Sequence, residues 1–347
     1  MNNKIYAAID ANINRAMEGL RVCEDVLRFI LLSPYSHEIK EVRHEVRKSC
    51  RVFPAEMLLR ARDVNGDSQK FFDLDDELRR TSVSHIFSAN LHRSIEAVRA
   101  LEEFAKNINE TSSQDLQKIR FLLYDIEKKV QLNLNKSEWL DKFSNSLYAI
   151  LDSSFVEKDD YSGAAKKMIE GGALIIQLRM KGEPRKKVLQ TAKEISLLCM
   201  EHKRIFIVND HPDIALLSGA RGLHLGQDDI SVDEAKKIMP QDMIIGKSTH
   251  SYEEAIDAVK EGPDYIAIGP VYSTKSKNGK EIGGIGTEVL GKIMETVEVP
   301  TVAIGGITLK GTGDIKKRGC TCIAVISELY INGKIKENCC ELVKAIG

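Results

Sequence analysis

Long apolar runs and an excess of charge of either sign are both missing from this chain of 347 residues. No stretch approaches the roughly 18 consecutive apolar residues of a membrane-spanning helix, and the opening MNNKIYAAIDANINRA lacks the basic, apolar and cleavage regions of a signal peptide. The formal net charge of -1 provides no global field for nucleic acid. We therefore expect a soluble, cytoplasmic protein that binds neither membranes nor nucleic acid.

Three common sequence signatures are missing as well. Without a CxxC pair, the seven cysteines support neither a zinc motif nor a disulfide framework. There is no P-loop, GxxxxGK followed by Ser or Thr, and no GxGxxG after the first predicted strand. We predict buried thiols in preference to a metal or redox role, because Cys320 and Cys322 stand at strand spacing beside apolar residues.

The second part of the chain consists of short apolar runs separated by amphipathic stretches. Runs of Val, Ile and Leu that alternate with helices are typical of a parallel sheet whose outer face is covered. Eight such units in about 200 residues fit a closed (β/α)8 TIM barrel. An open doubly wound sheet is the alternative, but polar residues close nearly every run. The runs are SLYAILD, ALIIQLR, RIFIVND, GLHLG, MIIGKS, YIAIGPV, PTVAIGG and CIAVIS.

The first part of the chain has few β-branched runs and is predicted to be mostly α-helical. Apolar residues recur there at helical spacing and predict one buried stripe, formed by Ile13, Met17, Leu20, Leu27 and Ile30. Because 347 residues exceed the usual size of a single domain, we expect two. The fold class is therefore α/β, with a helical domain over residues 1–135, a linker over 136–145 and the barrel over 146–347.

The helical part contains an internal repeat. DANINRAMEGLRVCED, which begins at Asp10, returns 78 positions later as SANLHRSIEAVRALEE, which begins at Ser88. Ion pairs that lock two helices, such as Arg15 with Glu18 and Arg21 with Glu24, explain the charges. They do not explain the repeated asparagine, a poor helix former, and four arginines beside carboxylates suit a phosphate site. Both interpretations stay open for Asn12, Arg15, Glu18, Arg21, Asn90, Arg93, Glu96 and Arg99.

The motifs of this part resemble a known family. DANINRAMEGLRVCEDVLRF, RARDVNGD and ANLHRSIEAVRALEE are similar to the helical domain attached to thiamine phosphate synthases, a family described as a hydroxymethylpyrimidine-phosphate kinase. The resemblance covers residues 4 to 130 approximately and implies ATP as a co-substrate. The alternative is a noncatalytic module for dimerisation or regulation, and the sequence leaves the oligomeric state open, a homo-oligomer included.

Polar side chains follow the predicted barrel strands at their carboxyl ends, which form the rim where barrel active sites lie. Cations and carboxylates from neighbouring strands indicate a metal ion beside an anion, because Mg²⁺ prefers oxygen ligands and shares phosphate oxygens. The sequence therefore predicts a pyrophosphate site at this rim. Its candidate residues are Gln177, Arg179, Lys181, Asn209, Asp210, Gln227, Asp228, Asp229, Ser248 and His250.

A second anion site is predicted at the other side of the rim. The segment GPVYSTKSKNGKEIGGIG, residues 269–286, is suited to closing over a charged ligand, and Thr274, Ser276 and Lys277 can donate to phosphate. Strands seven and eight end in AIGGI and VISEL, where barrels commonly bind phosphate on backbone N–H groups. Two anion sites predict two phosphorylated reactants, with pyrophosphate as the leaving group.

The barrel motifs resemble thiamine phosphate synthase in sequence order: QLRMKG, IVNDHPDIALLSGARGLHLGQDD, IIGKSTHSYEEA, DYIAIGPVYSTKSK and VPTVAIGGIT. That family joins hydroxymethylpyrimidine diphosphate to hydroxyethylthiazole phosphate and releases pyrophosphate. A thiazole tautomerase on the same barrel is the alternative. It works without metal, so the carboxylates favour the synthase.

This resemblance implies roles for individual residues. The pyrimidine diphosphate would be held by Gln177, Arg179, Lys181, Asn209, Ser248 and Lys277, of which Arg179, Lys181 and Lys277 would act in catalysis. Mg²⁺ would bind Asp210 and Asp229. The thiazole phosphate would be held by Thr274, Ser276, Gly306, Ile326 and Ser327.

Overall fold

A computed structural model of the protein describes residues 3–62, 82–275 and 281–347. The chain divides into two compact units, Met1–Leu134 and Asn135–Gly347, which we call the helical unit and the barrel unit. None of the helices in the described ranges combines the length and the apolar composition needed to cross a membrane.

The helical unit is built on two long helices that pack against each other along their length, α1 and α4. Buried apolar residues from all the described helices form one core, with Leu20, Leu27, Leu91 and Leu101 fully buried. The helices are α1 (Asn3–Asp25), α2 (Ser36–Ser49), α3 (Ala55–Ala61), α4 (Val83–Ala105) and α5 (Glu110–Asp141).

The predicted stripe on α1 is wrong at its last member. Leu20 and Leu27 are fully buried, and Ile13 and Met17 pack against the core from its edge, whereas Ile30 is 56% exposed. The α-helix ends at Asp25, and Val26–Ile30 form a wider π-helical turn. This turn changes the angular spacing of the side chains, so Ile30 leaves the stripe and faces solvent.

The barrel unit contains a closed parallel sheet in the order β1-β10-β9-β6-β5-β4-β3-β2, which confirms the predicted eight-stranded barrel. Its strands are β1 (Ser146–Asp152), β2 (Ile175–Arg179), β3 (Ile205–Asn209), β4 (Gly222–Leu225), β5 (Ile244–Thr249), β6 (Tyr265–Ile268), β9 (Thr301–Ile304) and β10 (Cys322–Val325). A short hairpin of β7 (Thr274–Lys275) and β8 (Glu281–Ile282) follows β6.

Helices follow the strands and cover the outside of the barrel. They are α6 (Tyr161–Glu170), α7 (Arg185–Glu201), α8 (Pro212–Ser218), α9 (Val232–Ile238), α10 (Tyr252–Lys260), α11 (Gly286–Thr296), α12 (Thr312–Lys317) and α13 (Ile335–Ile346). The segment between β9 and β10 folds into a short 3-10 turn, Leu309–Gly311, and the six-residue helix α12.

Two apolar layers stabilise the barrel, one between its strands and helices and one inside it. The inner layer includes Phe143, Tyr148 and Tyr265, and Trp139 and Leu140 pack against it. Helix α5 runs on to Asp141, so the segment expected as a linker, 136–145, is helical in its first residues.

All seven cysteines are free, and all except Cys340 are buried. Burial raises the pKa of Cys23, Cys50, Cys199 and Cys339 to about 12, which keeps these thiols protonated and unreactive. Cys320 and Cys322, the two residues predicted to be buried thiols, are both buried.

Candidate active site

A cavity of about 860 Å³ opens at the carboxyl ends of the barrel strands. Topology makes this site, because parallel strands around a closed barrel bring residues that are distant in sequence to one rim. Of the residues predicted from sequence, the cavity is lined by Gln177, Arg179, Asn209, Ser248, His250, Thr274, Gly305, Gly306, Ile326 and Ser327.

A chain of hydrogen-bonded side chains crosses the interior of the barrel beneath this cavity. Gln177 Nε2 donates to the Tyr148 hydroxyl (2.7 Å), which is 2.9 Å from the Tyr265 hydroxyl. His224 Nδ1 is 2.9 Å from that Tyr265 hydroxyl, and His224 Nε2 is 2.8 Å from Ser248 Oγ. These five residues come from β2, β1, β6, β4 and β5, and we call them the floor network.

The floor network is uncharged at neutral pH. Burial lowers the pKa of His224 to about 4, although the carboxylate of Asp229 opposes this shift. Burial also raises the pKa of Tyr148 and of Tyr265. Because each ring is held by a neighbour, the network fixes the orientation of the Gln177 amide and the Ser248 hydroxyl that line the cavity.

Arg179, at the end of β2, is paired with the carboxylate of Asp152 at the end of β1. Burial raises the pKa of Asp152, but hydrogen bonds from Ser154 and the charge of Arg179 outweigh it, and the pKa ends below its ordinary value. Asp152 is therefore an ionised, buried partner that positions the guanidinium at the cavity wall.

Two carboxylates and a lysine meet beside the cavity. Lys181 Nζ lies 3.5 Å from Asp210 Oδ2. The pKa of Asp210 is raised, first by burial and then by the neighbouring negative charge of Asp229, with Lys181 opposing the shift. Asp229 is held from below by the Gly226 N–H, 2.6 Å from its Oδ2. Asp210 has a φ of 65°, in the left-handed region that aspartate adopts more readily than most residues with a side chain.

This arrangement fits a divalent cation. Burial and the negative charge of Asp229 both raise the pKa of Asp210, and a cation between the two carboxylates would favour their ionised forms. The donors are oxygens, as Mg²⁺ prefers. Within residues 3–62, 82–275 and 281–347, no cluster of three or more His, Cys, Asp or Glu side chains forms a metal site, so the remaining ligands would be water or substrate oxygens.

The opposite wall of the cavity is made by backbone. Gly305 and Gly306 have φ values of 95° and 65°, and a Cβ on Gly306 would lie 2.7 Å from the Tyr272 carbonyl oxygen. Only glycine fits this turn, which leaves the cavity wall open beside Ile326 and Ser327. Two predicted phosphate donors, Ser276 and Lys277, lie outside the described residues.

In the helical unit, the repeat produces two buried carboxylates in matching surroundings. Glu24 is 3% exposed; Arg21 approaches it from the same helix (3.7 Å) and Arg43 from α2 (2.8 Å). Glu102 is 2% exposed; Arg99 approaches it from the same helix (2.5 Å) and Arg120 from α5 (2.9 Å). The structure therefore uses Arg21 and Arg99, two of the predicted site residues, to neutralise buried charge.

The other predicted residues of this unit behave differently. Asn12 and Asn90 donate to the carbonyl oxygens of Ala8 and Ile86, in each case at 2.8 Å. The predicted pair of Arg15 with Glu18 does not form within the described part of the chain, nor does its counterpart, Arg93 with Glu96. All four are exposed, because helical spacing turns them away from the core. A shallow cavity of about 450 Å³ lies beside two of the predicted residues, Glu18 and Arg21, and is also lined by Met17, Val22, Arg43 and Arg47.

The sequence patterns do not reveal six residues of these sites, and one of them is Asp152, the last residue of the first apolar run. Tyr148, Tyr265 and His224 stand inside apolar strand runs and read as core. Arg43 and Arg120 lie outside the repeated motif. The alternation of side chains along a strand could have identified Tyr148, which points inward two positions before Ile150 and four before Asp152.

Each part of the chain is similar to a known protein family. Residues 147–329 match the family of thiamine monophosphate synthase, and residues 7–129 match the ThiD2 family. The thiamine-phosphate synthase of Prochlorococcus marinus (strain AS9601) is 35% identical, over 99% of this chain and 95% of that protein. The thiamine-phosphate synthase of Synechocystis sp. is 33% identical, over 93% and 90%.

A solved structure resembles the barrel unit. Thiamine phosphate pyrophosphorylase from Pyrococcus furiosus shares 34% sequence identity with the matched region, with a TM-score of 0.54. The match covers 59% of this chain and 97% of that protein.

Proposed function

The chain belongs to the thiamine monophosphate synthase family, and on this basis we propose that its barrel joins hydroxymethylpyrimidine diphosphate to hydroxyethylthiazole phosphate, releasing pyrophosphate. The observation that carries the proposal is the group of Lys181, Asp210 and Asp229 beside a deep cavity with an uncharged floor. Such a site suits an organic ring with a diphosphate attached.

The pyrimidine ring would lie on the floor network, where the Gln177 amide and the Ser248 hydroxyl are held in fixed orientations. Asn209 lines the same side of the cavity. A neutral floor suits this ring, because a charged side chain there would have to lose its water when the ring covered it, at a cost in free energy.

The diphosphate would extend to the rim, where Arg179 and Lys181 supply positive charge. Mg²⁺ held by Asp210 and Asp229 would neutralise the leaving group. The bond between the methylene carbon and the diphosphate oxygen breaks, and its electron pair leaves with pyrophosphate. The thiazole nitrogen then donates its own pair to that carbon, so no proton has to move and no general base is needed.

The thiazole phosphate would bind at the opposite wall, on the backbone around Gly306 and Ser327 with Thr274 nearby. The alternative of a thiazole tautomerase requires a proton transfer and no leaving group. It would leave the group of Lys181, Asp210 and Asp229 without a role, so the synthase is favoured. Both proposed substrates are small phosphorylated molecules. We also propose that the enzyme acts in the cytoplasm.

For the helical unit we propose ATP-dependent phosphorylation of hydroxymethylpyrimidine phosphate, which would supply the diphosphate to the barrel. The match of residues 7–129 to the ThiD2 family and the exposed arginines of the repeat support this role. The alternative is a noncatalytic module for dimerisation or regulation.

Phosphorus NMR on the full chain tests the kinase proposal. The protein is incubated with ATP, Mg²⁺ and hydroxymethylpyrimidine phosphate, without the thiazole substrate. Formation of ADP and the pyrimidine diphosphate supports a kinase. If ATP remains intact, the helical unit is left with the noncatalytic role.

A further inference from the structure

The internal repeat of the helical unit extends beyond the two motifs seen in the sequence. Helices α1 and α4 correspond with an offset of 78 positions, as in Ala16 and Ser94, and α2 and α5 correspond with an offset of 77. The buried residues of α2 and α5 match at this second offset, as Ile39/Leu116, Val42/Ile119 and Val46/Leu123. The arginines on Glu24 and Glu102, Arg43 and Arg120, match as well. The unit is therefore two copies of one helical hairpin.

A local two-fold axis relates the two copies. Ser94 Oγ donates to the carbonyl oxygen of Ala16 (3.4 Å), and these two residues are equivalent positions of the repeat. Seven positions further along α1, Cys23 lies 3.6 Å from the carbonyl oxygen of Phe87, seven positions back along α4. The helices are thus antiparallel, and because equivalent residues touch at Ala16 and Ser94, the axis passes between them.

Helical geometry places Arg15 and Arg93 on either side of this axis. Each comes one position before an axial residue, so it stands about 1.5 Å from the axis along its helix. Glu24 follows Arg15 by nine positions, as Glu102 follows Arg93. At about 100° per residue this is two and a half turns, so each arginine projects from the side of its helix that is opposite to the buried glutamate.

Both arginines therefore share one face of the pair α1 and α4. Glu24 contacts α2 and Glu102 contacts α5, so the arginines face away from both helices. A two-fold axis perpendicular to antiparallel helices keeps equivalent residues on the same face. In the part of the chain that the structure describes, neither Arg15 nor Arg93 has a hydrogen bond or an ion pair, which leaves both guanidinium groups available to a ligand.

We propose that Arg15 and Arg93 hold two different phosphates, one of the nucleotide and one of the pyrimidine monophosphate, across the local two-fold axis. The proposal rests on the kinase function proposed above and assigns its substrates to the two half-sites. In the transfer, the bond from the terminal phosphorus to its bridging oxygen breaks, its electron pair leaves on ADP, and an oxygen of the acceptor phosphate forms the new bond.

The chemistry of this reaction demands such a pair. Donor and acceptor are both phosphates, so bringing them together in line opposes two like charges. Arginine binds phosphate through two parallel hydrogen bonds and keeps its charge at any physiological pH. Two equivalent arginines close to one axis provide a cation for each reactant. Because the two arginines are alike, the residues around each of them must decide which substrate it binds.

The test uses the full chain with Arg15→Gln and Arg93→Gln. Calorimetry measures the affinity of each variant for a nonhydrolysable ATP analogue with Mg²⁺ and for hydroxymethylpyrimidine phosphate. We expect each variant to lose about tenfold or more in affinity for one ligand, with the other within about twofold, and the two variants to affect opposite ligands. Both side chains are exposed and unpaired in the described structure, so the variants should fold.

Arg43→Gln and Arg120→Gln are matched controls, because they remove a partner of each buried glutamate. They should lower the melting temperature and leave both affinities within about twofold. The proposal is overturned if Arg15→Gln and Arg93→Gln weaken the same ligand, if neither weakens any ligand, or if Arg43→Gln alone does. Binding with the expected split but without turnover would reject the kinase reaction while keeping the two half-sites.

Discussion

We propose that both units bind phosphorylated molecules, and the two units build their candidate sites in different ways. The barrel unit gathers residues as distant as Gln177 and Ser327 around one open cavity, through the topology of a parallel barrel. The helical unit instead repeats one helical hairpin around a two-fold axis, and this repeat places equivalent arginines near each other. Topology gives a chemically varied site, whereas duplication gives the same side chain twice. The barrel should therefore depend on individual residues and the helical unit on pairs.

The largest expected effect tests whether the barrel unit depends on a single residue. Asp229→Asn removes one of two carboxylates that face each other at the rim, and with it several kcal/mol of charge stabilisation for the leaving group. Steady-state kinetics with the pyrimidine diphosphate supplied directly should show kcat lowered about a hundredfold or more. Asp228→Asn changes an exposed neighbouring carboxylate to which the family resemblance assigns no role, and this control should retain turnover. Equal rates for the two variants would contradict the assigned metal site.

The second effect concerns pH and the floor network. The unfolded chain protonates His224 below about 6.5, and the folded protein only below about 4, so stability falls as the pH drops through this window. The loss is about 1.4 kcal/mol for each pH unit and about 3 kcal/mol in total. Above pH 6.5 this residue contributes no pH dependence.

Denaturation followed by tryptophan fluorescence measures this loss, because Trp139 is the single tryptophan and lies in the barrel unit. His224→Gln should flatten the pH dependence between 6.5 and 4, since glutamine cannot bind the proton. His202→Gln, on the outer surface, should leave it as steep as before. An unchanged slope in His224→Gln would mean that other groups carry the acid sensitivity.

The third effect tests the pairing within the helical unit. Glu24→Gln and Glu102→Gln each leave a pair of arginines without its buried carboxylate, and each should destabilise the unit by about 1–3 kcal/mol. Hydrogen exchange of peptides from α1 and α4 should accelerate to a similar degree in the two variants. Glu18→Gln and Glu96→Gln, the exposed members of the repeat, should not change exchange. A large difference between Glu24→Gln and Glu102→Gln would break the equivalence of the copies.

The smallest effect sharpens the role of the floor. Tyr148→Phe deletes the hydroxyl that accepts from Gln177, which frees the amide to rotate. We expect KM for the pyrimidine diphosphate to rise about three- to tenfold, while KM for the thiazole phosphate stays unchanged. Tyr252→Phe, on the outer helix α10, is the control. A rise in both KM values would point to a general loosening of the barrel instead.

Much of the fold follows from local patterns. Apolar runs that alternate with amphipathic stretches predict each barrel strand to within a few residues, because burial on both faces leaves little choice of composition. The predicted residues Gln177, Asn209 and Ser248 line one cavity because parallel barrel strands end at the same rim. The stripe on α1 fails at Ile30 because a wider helical turn is not encoded in apolar spacing.

Other features depend on distances between elements and stay hidden in one sequence. The floor network needs Tyr148 and Tyr265, which are 117 positions apart, to point at each other across the barrel. Arg43 and Glu24 meet because α2 packs on α1. Glu24 and Glu102 are 78 positions apart but Arg43 and Arg120 are 77 apart, so a search at one fixed offset does not pair the two arginines. The sequence motif alone therefore could not separate Arg21 and Arg99, which pair with buried charge, from Arg15 and Arg93, which do not.

One coupled assay tests most directly whether a single chain performs both reactions. The full chain is given hydroxymethylpyrimidine phosphate, ATP, hydroxyethylthiazole phosphate and Mg²⁺, and thiamine phosphate is measured, in parallel with Arg15→Gln. We predict product from the unaltered chain, and a rate lower by about tenfold or more from Arg15→Gln at subsaturating substrate, restored when the pyrimidine diphosphate replaces the monophosphate and ATP. The proposal of two reactions is contradicted if the unaltered chain forms thiamine phosphate from the pyrimidine diphosphate and the thiazole phosphate, but forms none when the monophosphate and ATP replace the diphosphate.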